Sequence, residues 1–120
     1  MPYSKIYYIY IISNKIRTVF YIGVTSDLER RIYEHSSGTF ENSFTSKYKC
    51  KHLIYYEEYN DIHNAISREK QLKKWSRQKK LNLIQTLNPK IRDLSASSRW
   101  QSLSLIKMLG SFMRSIHSPQ

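Results

Sequence analysis

Residues 6–12 form an unbroken apolar and aromatic run, Ile-Tyr-Tyr-Ile-Tyr-Ile-Ile. The run is short and rich in β-branched and aromatic side chains, so it predicts a strand rather than a helix. Ser13, Asn14 and Lys15 follow with turn chemistry. Residues 18–22 return as a second strand, which predicts an antiparallel hairpin. Gly23 then permits a sharp exit. From Ser26 the period changes. Ser26 and Glu29 have capping-box spacing, and Leu28 and Ile32 lie one helical turn apart. With Ser36, Ser37 and Gly38 as the stop, a short helix is predicted over residues 27–35. Residues 39–51 show no period and read as a loop. Residues 53–59, with Tyr55 and Tyr56 central, read as a third strand.

Asn60 or Asp61 can cap a second helix. Ile62, Ala65, Ile66, Glu69 and Leu72 fall on one of its stripes. Ser76 caps a third helix carrying Leu81, Ile84 and Leu87, and Asn88-Pro89 ends it. The pattern therefore predicts an α+β fold in the order ββαβαα, a small three-stranded antiparallel sheet flanked by helices. Ser95, Ala96, Ser97 and Ser98 mark a break in composition. Residues 1–94 are expected to form one domain, and residues 95–120 a Ser-rich linker with an amphipathic C-terminal helix. Leu105, Leu109, Phe112, Met113 and Ile116 recur there at helical spacing, although Gly110 weakens such a helix by about 1 kcal/mol.

Two placements carry chemistry. Arg31 and His35 stand one turn apart, so a fixed cation and an imidazole share a face beside the strand-end Tyr21. A phosphodiester site needs charge for the phosphate and a group that can move a proton near neutral pH. Glu69 lies in the middle of an apolar stripe, where a carboxylate is costly unless a metal ion or a cation compensates it. The alternative is a structural salt bridge, for instance to Arg31.

Charge narrows the partner. Twenty Lys and Arg against nine Asp and Glu leave a formal charge of +11, which points to a polyanion, most simply nucleic acid. No acid other than Glu69 occurs between Arg68 and Lys80. Arg30, Lys47, Lys70, Lys73, Lys74 and Arg77 are the expected phosphate contacts, with Lys49 and Lys51 beside Lys47 in the loop. Trp75 lies within the basic run, and packing on the sheet is its expected fate. A single cysteine, Cys50, excludes an internal disulfide and suits a reducing cytoplasm. No CxxC or HExxH spacing offers a zinc site. Neither a secretory leader nor a membrane span is expected, because Lys5 interrupts the start and no apolar run is long enough.

The stretch from Tyr21 to His35 resembles the GIY-YIG nuclease superfamily. Tyr21-Ile22-Gly23 stands for the second half of that motif, and Tyr8-Ile9-Tyr10 stands eleven residues earlier where the first half belongs, tyrosine to tyrosine. Tyr8 occupies the position of the motif's first glycine. The chain looks most like the small single-domain bacterial members related to the nuclease module of the UvrC repair protein, over about residues 5–94. The resemblance implies a metal-dependent phosphodiesterase acting on DNA, with RNA left open, in repair, recombination or processing. It implies that Glu69 holds one Mg²⁺ or Mn²⁺ and that Arg31 stabilises charge on the phosphate. Tyr21 or Tyr10 would orient or deprotonate the attacking water. His35 would be the alternative base or accept the tyrosine's proton, and Asn88 would close the site. A tyrosine ordinarily loses its proton near pH 10, so base work requires positive charge beside it. The rival expectation is a non-catalytic nucleic-acid-binding protein that keeps the fold and the basic surface; it would need no divalent ion and would tolerate loss of Glu69.

Overall fold

The computed structural model describes residues 5–37 and 43–96. The expected tail helix lies outside the described residues. Strands β1 (Tyr7–Ser13), β2 (Phe20–Thr25) and β3 (His52–Tyr59) form an antiparallel sheet in the order β2-β1-β3. Helices α1 (Leu28–Ser37), α2 (Phe44–Lys47), α3 (Ile62–Lys73) and α4 (Arg77–Leu87) surround it, and a 3₁₀ turn (Leu94–Ala96) follows. The fold is the expected α+β arrangement, with α2 added in the stretch read as a loop. Ser43 makes that turn possible: its hydroxyl accepts from the Ser46 amide.

β1 is central, and this explains its uninterrupted apolar run. Ile9 and Ile11 enter a core with Ile22, Ile54, Tyr55, Ala65, Leu72 and Ile84. Tyr8, Tyr10 and Ile12 point the other way, to Leu28, Ile32, Cys50 and Leu53. A strand covered on both faces has no polar alternation to display. Among the described residues no helix is long and apolar enough to cross a membrane.

Three local expectations are corrected. The second strand begins at Phe20 and continues through Gly23 to Thr25. The side-chain oxygen of Asn14 accepts from the Thr18 and Val19 amides, which draws those residues into the turn. Gly23 is therefore no exit: it pairs with Tyr10 inside the ladder. The first helix starts at Leu28, and Asp27 rather than Ser26 caps it, its Oδ1 accepting from the Arg30 amide at 3.2 Å. Asp61 and Ser76 do cap α3 and α4.

The β1–β3 ladder passes from Ile11↔Tyr55 to Ile12↔Leu53, which leaves Ile54 without a partner across the ladder. This β-bulge turns Ile54 and Tyr55, neighbours in sequence, into the same core cluster. The carbonyl of Ile54 accepts instead from Asn88 Nδ2 at 3.0 Å.

Candidate active site

The site is assembled on the α1 face of the β1–β2 pair. Tyr10 and Gly23 face each other across the ladder, and the Tyr10 ring lies over the glycine. A Cβ at Gly23 would stand 2.5 Å from Tyr10 Cζ and 2.8 Å from Cε1. The missing side chain is thus the seat of the ring. From that seat the Tyr10 hydroxyl reaches His35 Nε2 at 3.1 Å, and His35 Nδ1 meets Thr45 Oγ1 at 2.9 Å. Thr45 Oγ1 is in turn 3.0 Å from Ser43 Oγ. Four side chains from β1, α1 and the start of α2 form one hydrogen-bonded chain. The Tyr21 ring packs against it, with centroids 6.3 Å from Tyr10, 5.8 Å from His35 and 6.1 Å from Phe44.

Burial sets the protonation states. His35 is 6% exposed, and burial, with the Arg31 charge adding to it, lowers its pKa to about 4. The imidazole is therefore neutral at pH 7 and does not titrate near neutrality, contrary to the sequence reading. Burial raises the Tyr10 phenol well above the usual tyrosine range; Tyr21, Glu34 and Glu69 add to this and Arg31 opposes it. Tyr10 stays protonated. A stability prediction follows for His35. In the unfolded chain its imidazole takes a proton near 6.5, and in the folded chain only near pH 4. Between those values the unfolded state binds more protons, so stability is full above 6.5 and falls as pH drops toward 4, by roughly 3 kcal/mol in all. Urea midpoints measured from pH 8 to 4 should show the fall, and His35→Gln should remove most of it. An unchanged slope in that variant would contradict a buried neutral imidazole.

Arg31 projects from the same face of α1. It lies 3.7 Å from Glu34, and its charge is felt at both Tyr10 and His35. Glu69 comes from α3, half-buried between buried Ala65 and Leu72. Its carboxylate is within electrostatic range of the Tyr10 hydroxyl. It pairs with Lys73 Nζ at 2.9 Å rather than with Arg31. The chain thus brings Tyr10, Tyr21, Arg31, His35 and Glu69 into one neighbourhood. Tyr8 fills the second core cluster, edge-on to Tyr56 at 6.4 Å.

The remaining expected residues lie elsewhere or are already engaged. The Asn88 amide donates to the carbonyls of Ile54 and Arg92 and accepts from the Arg92 amide, so it braces the end of α4. Arg77 donates to the carbonyls of Arg17 and Thr18 and lies 4.3 Å from the Phe20 ring, tying α4 to the hairpin. Lys73 is held by Glu69. Arg68 forms a two-pronged pair with Glu57, and Trp75 packs between Arg68 and Lys79. Arg30 pairs with Glu34 at 3.2 Å, and Lys47 lies 5.4 Å from the Tyr48 ring centre. Lys70 and Lys74 are exposed. Arg68, Arg77 and Lys79 thus also brace the fold, while Lys70, Lys73 and Lys74 keep exposed side chains. Sequence reasoning missed Thr45 and Ser43, which orient His35. They sit in a polar stretch without period, and only the Ser43 cap spacing could have drawn notice.

The GIY-YIG catalytic domain family matches residues 6–82. A UPF0213 protein of Syntrophus aciditrophicus is 35% identical over 77 residues, covering 64% of this chain and 87% of that protein. One from Staphylococcus saprophyticus is 37% identical over 78 residues, covering 65% and 93%. The solution NMR structure of a UPF0213 protein from Bacillus halodurans is 27% identical, covers 77% of this chain and 97% of that one, and superposes with a TM-score of 0.48. With the family match spanning more than half its length, and the motif tyrosines adjoining His35, this chain belongs to the GIY-YIG catalytic domain family.

Proposed function

We propose that the chain is a divalent-metal-dependent endonuclease that hydrolyses phosphodiester bonds of DNA in the cytoplasm, in repair, recombination or processing. The observation that carries this reading is the convergence of Tyr21, Arg31, His35 and Glu69 around Tyr10. Membership of a family whose domain is of nuclease type supports it.

Glu69 suits a hard cation. Its carboxylate is largely shielded, with 16% of the side chain exposed, while its partner Lys73 is 51% exposed and can swing away. Among the described residues no cluster of three or more His, Cys, Asp or Glu is assembled. The fit is therefore to an ion that keeps most of its waters, as Mg²⁺ and Mn²⁺ do. Bound at Glu69, such an ion would supply Lewis-acid charge to a non-bridging phosphate oxygen.

The chain's own groups divide the remaining work. Arg31 opposes the negative charge that grows on the phosphate. His35 has one nitrogen on Tyr10 and the other on Thr45, so it holds rather than attacks. Tyr10 is kept protonated and buried, and it fixes the imidazole. Tyr21, half-buried against both, orients the attacking water.

The test is incubation with branched, flapped, single-stranded and duplex DNA, and with RNA, in chelator, Mg²⁺ or Mn²⁺. Cleavage of at least one DNA with either metal, and none in chelator, is expected. Binding without cleavage of any substrate would favour the rival reading, a nucleic-acid-binding protein on the nuclease fold. The Glu69–Lys73 pair is the observation that speaks for that rival, because it satisfies the carboxylate without a metal.

A further inference from the structure

We propose that α2 and the lysines beside the β1–β2 turn form a subsite for an unpaired DNA strand next to the reaction centre. This deepens the nuclease reading and rests on it for the identity of the ligand.

Two aromatic rings stand uncovered here. Phe44 is 48% exposed and Tyr48 41% exposed, and their centroids lie 4.7 Å apart. Phe44 also packs at 6.1 Å on Tyr21, so the rings run outward from the site as a continuous strip. The strip ends at a cavity of about 330 Å³ lined by Tyr48, Ile16, Lys15, Lys49, Lys51 and His52. Among the described residues no acidic side chain lines it. Lys47 lies beside the Tyr48 ring at 5.4 Å. Rings that accept base faces, interleaved with lysines that accept phosphates, match the repeating chemistry of a nucleic-acid strand.

The strip is also anchored. Ser43 caps the turn, Tyr48 N donates to the Phe44 carbonyl, and Cys50 N donates to the Thr45 carbonyl at 2.8 Å. Thr45 is the residue that holds His35. A nucleotide on the strip would therefore be registered against the candidate catalytic groups. Bases in a duplex present their edges and not their faces, so only an unpaired strand can stack here. The lysines decide for a polyanion over an apolar protein partner.

The experiment measures binding in chelator, so that cleavage plays no part. Labelled oligo-dT and a duplex of equal length are titrated with the full chain and its variants. Phe44→Leu with Tyr48→Leu should weaken oligo-dT binding by about tenfold or more and change duplex binding by less than about twofold. Phe44→Tyr with Tyr48→Phe should bind as the wild type does. Lys49→Ala with Lys51→Ala should shallow the single-strand salt slope by about 1 to 1.5. Circular dichroism checks that each variant folds. Equal losses on both DNAs, no loss in the leucine variant, or a loss in the aromatic-retaining variant would overturn the proposal. If the wild type cuts nothing yet the selective loss is seen, the nuclease reading fails and the subsite stands. If it cuts and the leucine variant binds normally, the reverse holds.

Discussion

Glu69→Gln is expected to fold, to bind DNA at least as tightly as the wild type, and to lose about a hundredfold or more in cleavage rate. The substitution keeps the side chain's volume and removes its charge. Among the described residues its one ionic partner is Lys73, whose side chain is half exposed, so the lost pair costs at most about 1 kcal/mol. A hard cation, by contrast, needs an anionic oxygen to hold it. Single-turnover cleavage in Mg²⁺, with Mn²⁺ binding followed separately by titration, reads both consequences. Lys73→Ala supplies the contrast: it frees the carboxylate and should leave metal binding intact or stronger. A Glu69→Gln protein that cuts at the wild-type rate would end the one-carboxylate reading.

Gly23→Ala should destabilise the fold by about 1–3 kcal/mol and disable the site together with it. The new Cβ would fall within 2.8 Å of two carbons of the Tyr10 ring. The ring cannot yield, because Tyr10 is 2% exposed and its hydroxyl is bound to His35. The requirement is space and not backbone conformation, since Gly23 sits in regular antiparallel pairing. A double-variant cycle separates the two. Tyr10→Leu removes the obstacle, so Gly23→Ala should cost much less in that background, whereas additive losses in denaturant midpoint would refute the seat.

Legibility varied with the physics behind each feature. β1 and β3 were readable because apolar and β-branched runs have few other outcomes. The half-burial of Glu69 was readable because it falls on the apolar stripe of its helix. The cap of α1 was misplaced by one residue, since Ser26 and Asp27 are both competent and the choice is made by the strand end preceding them. Gly23 was misread because glycine signals a turn and a ring seat alike, and only the cross-strand partner tells them apart. Thr45 and Arg77 were invisible in their roles. A threonine's partner 10 residues away, and carbonyls 59 and 60 residues away, leave no periodic trace.

The β-bulge at Ile54 bears on the order in which the chain folds. A strand slipped by one residue would present its opposite face to each core. Asn88, 34 residues downstream at the end of α4, adds a tie to the bulged residue. The hairpin of β1 and β2 rests on contacts close in sequence, whereas the Asn88 bond to β3 exists only once α4 has docked. A slipped β3 would forfeit the bond from the Asn88 amide to Ile54 and leave Asn88 only its bonds with Arg92, so the helix end discriminates between the two alignments.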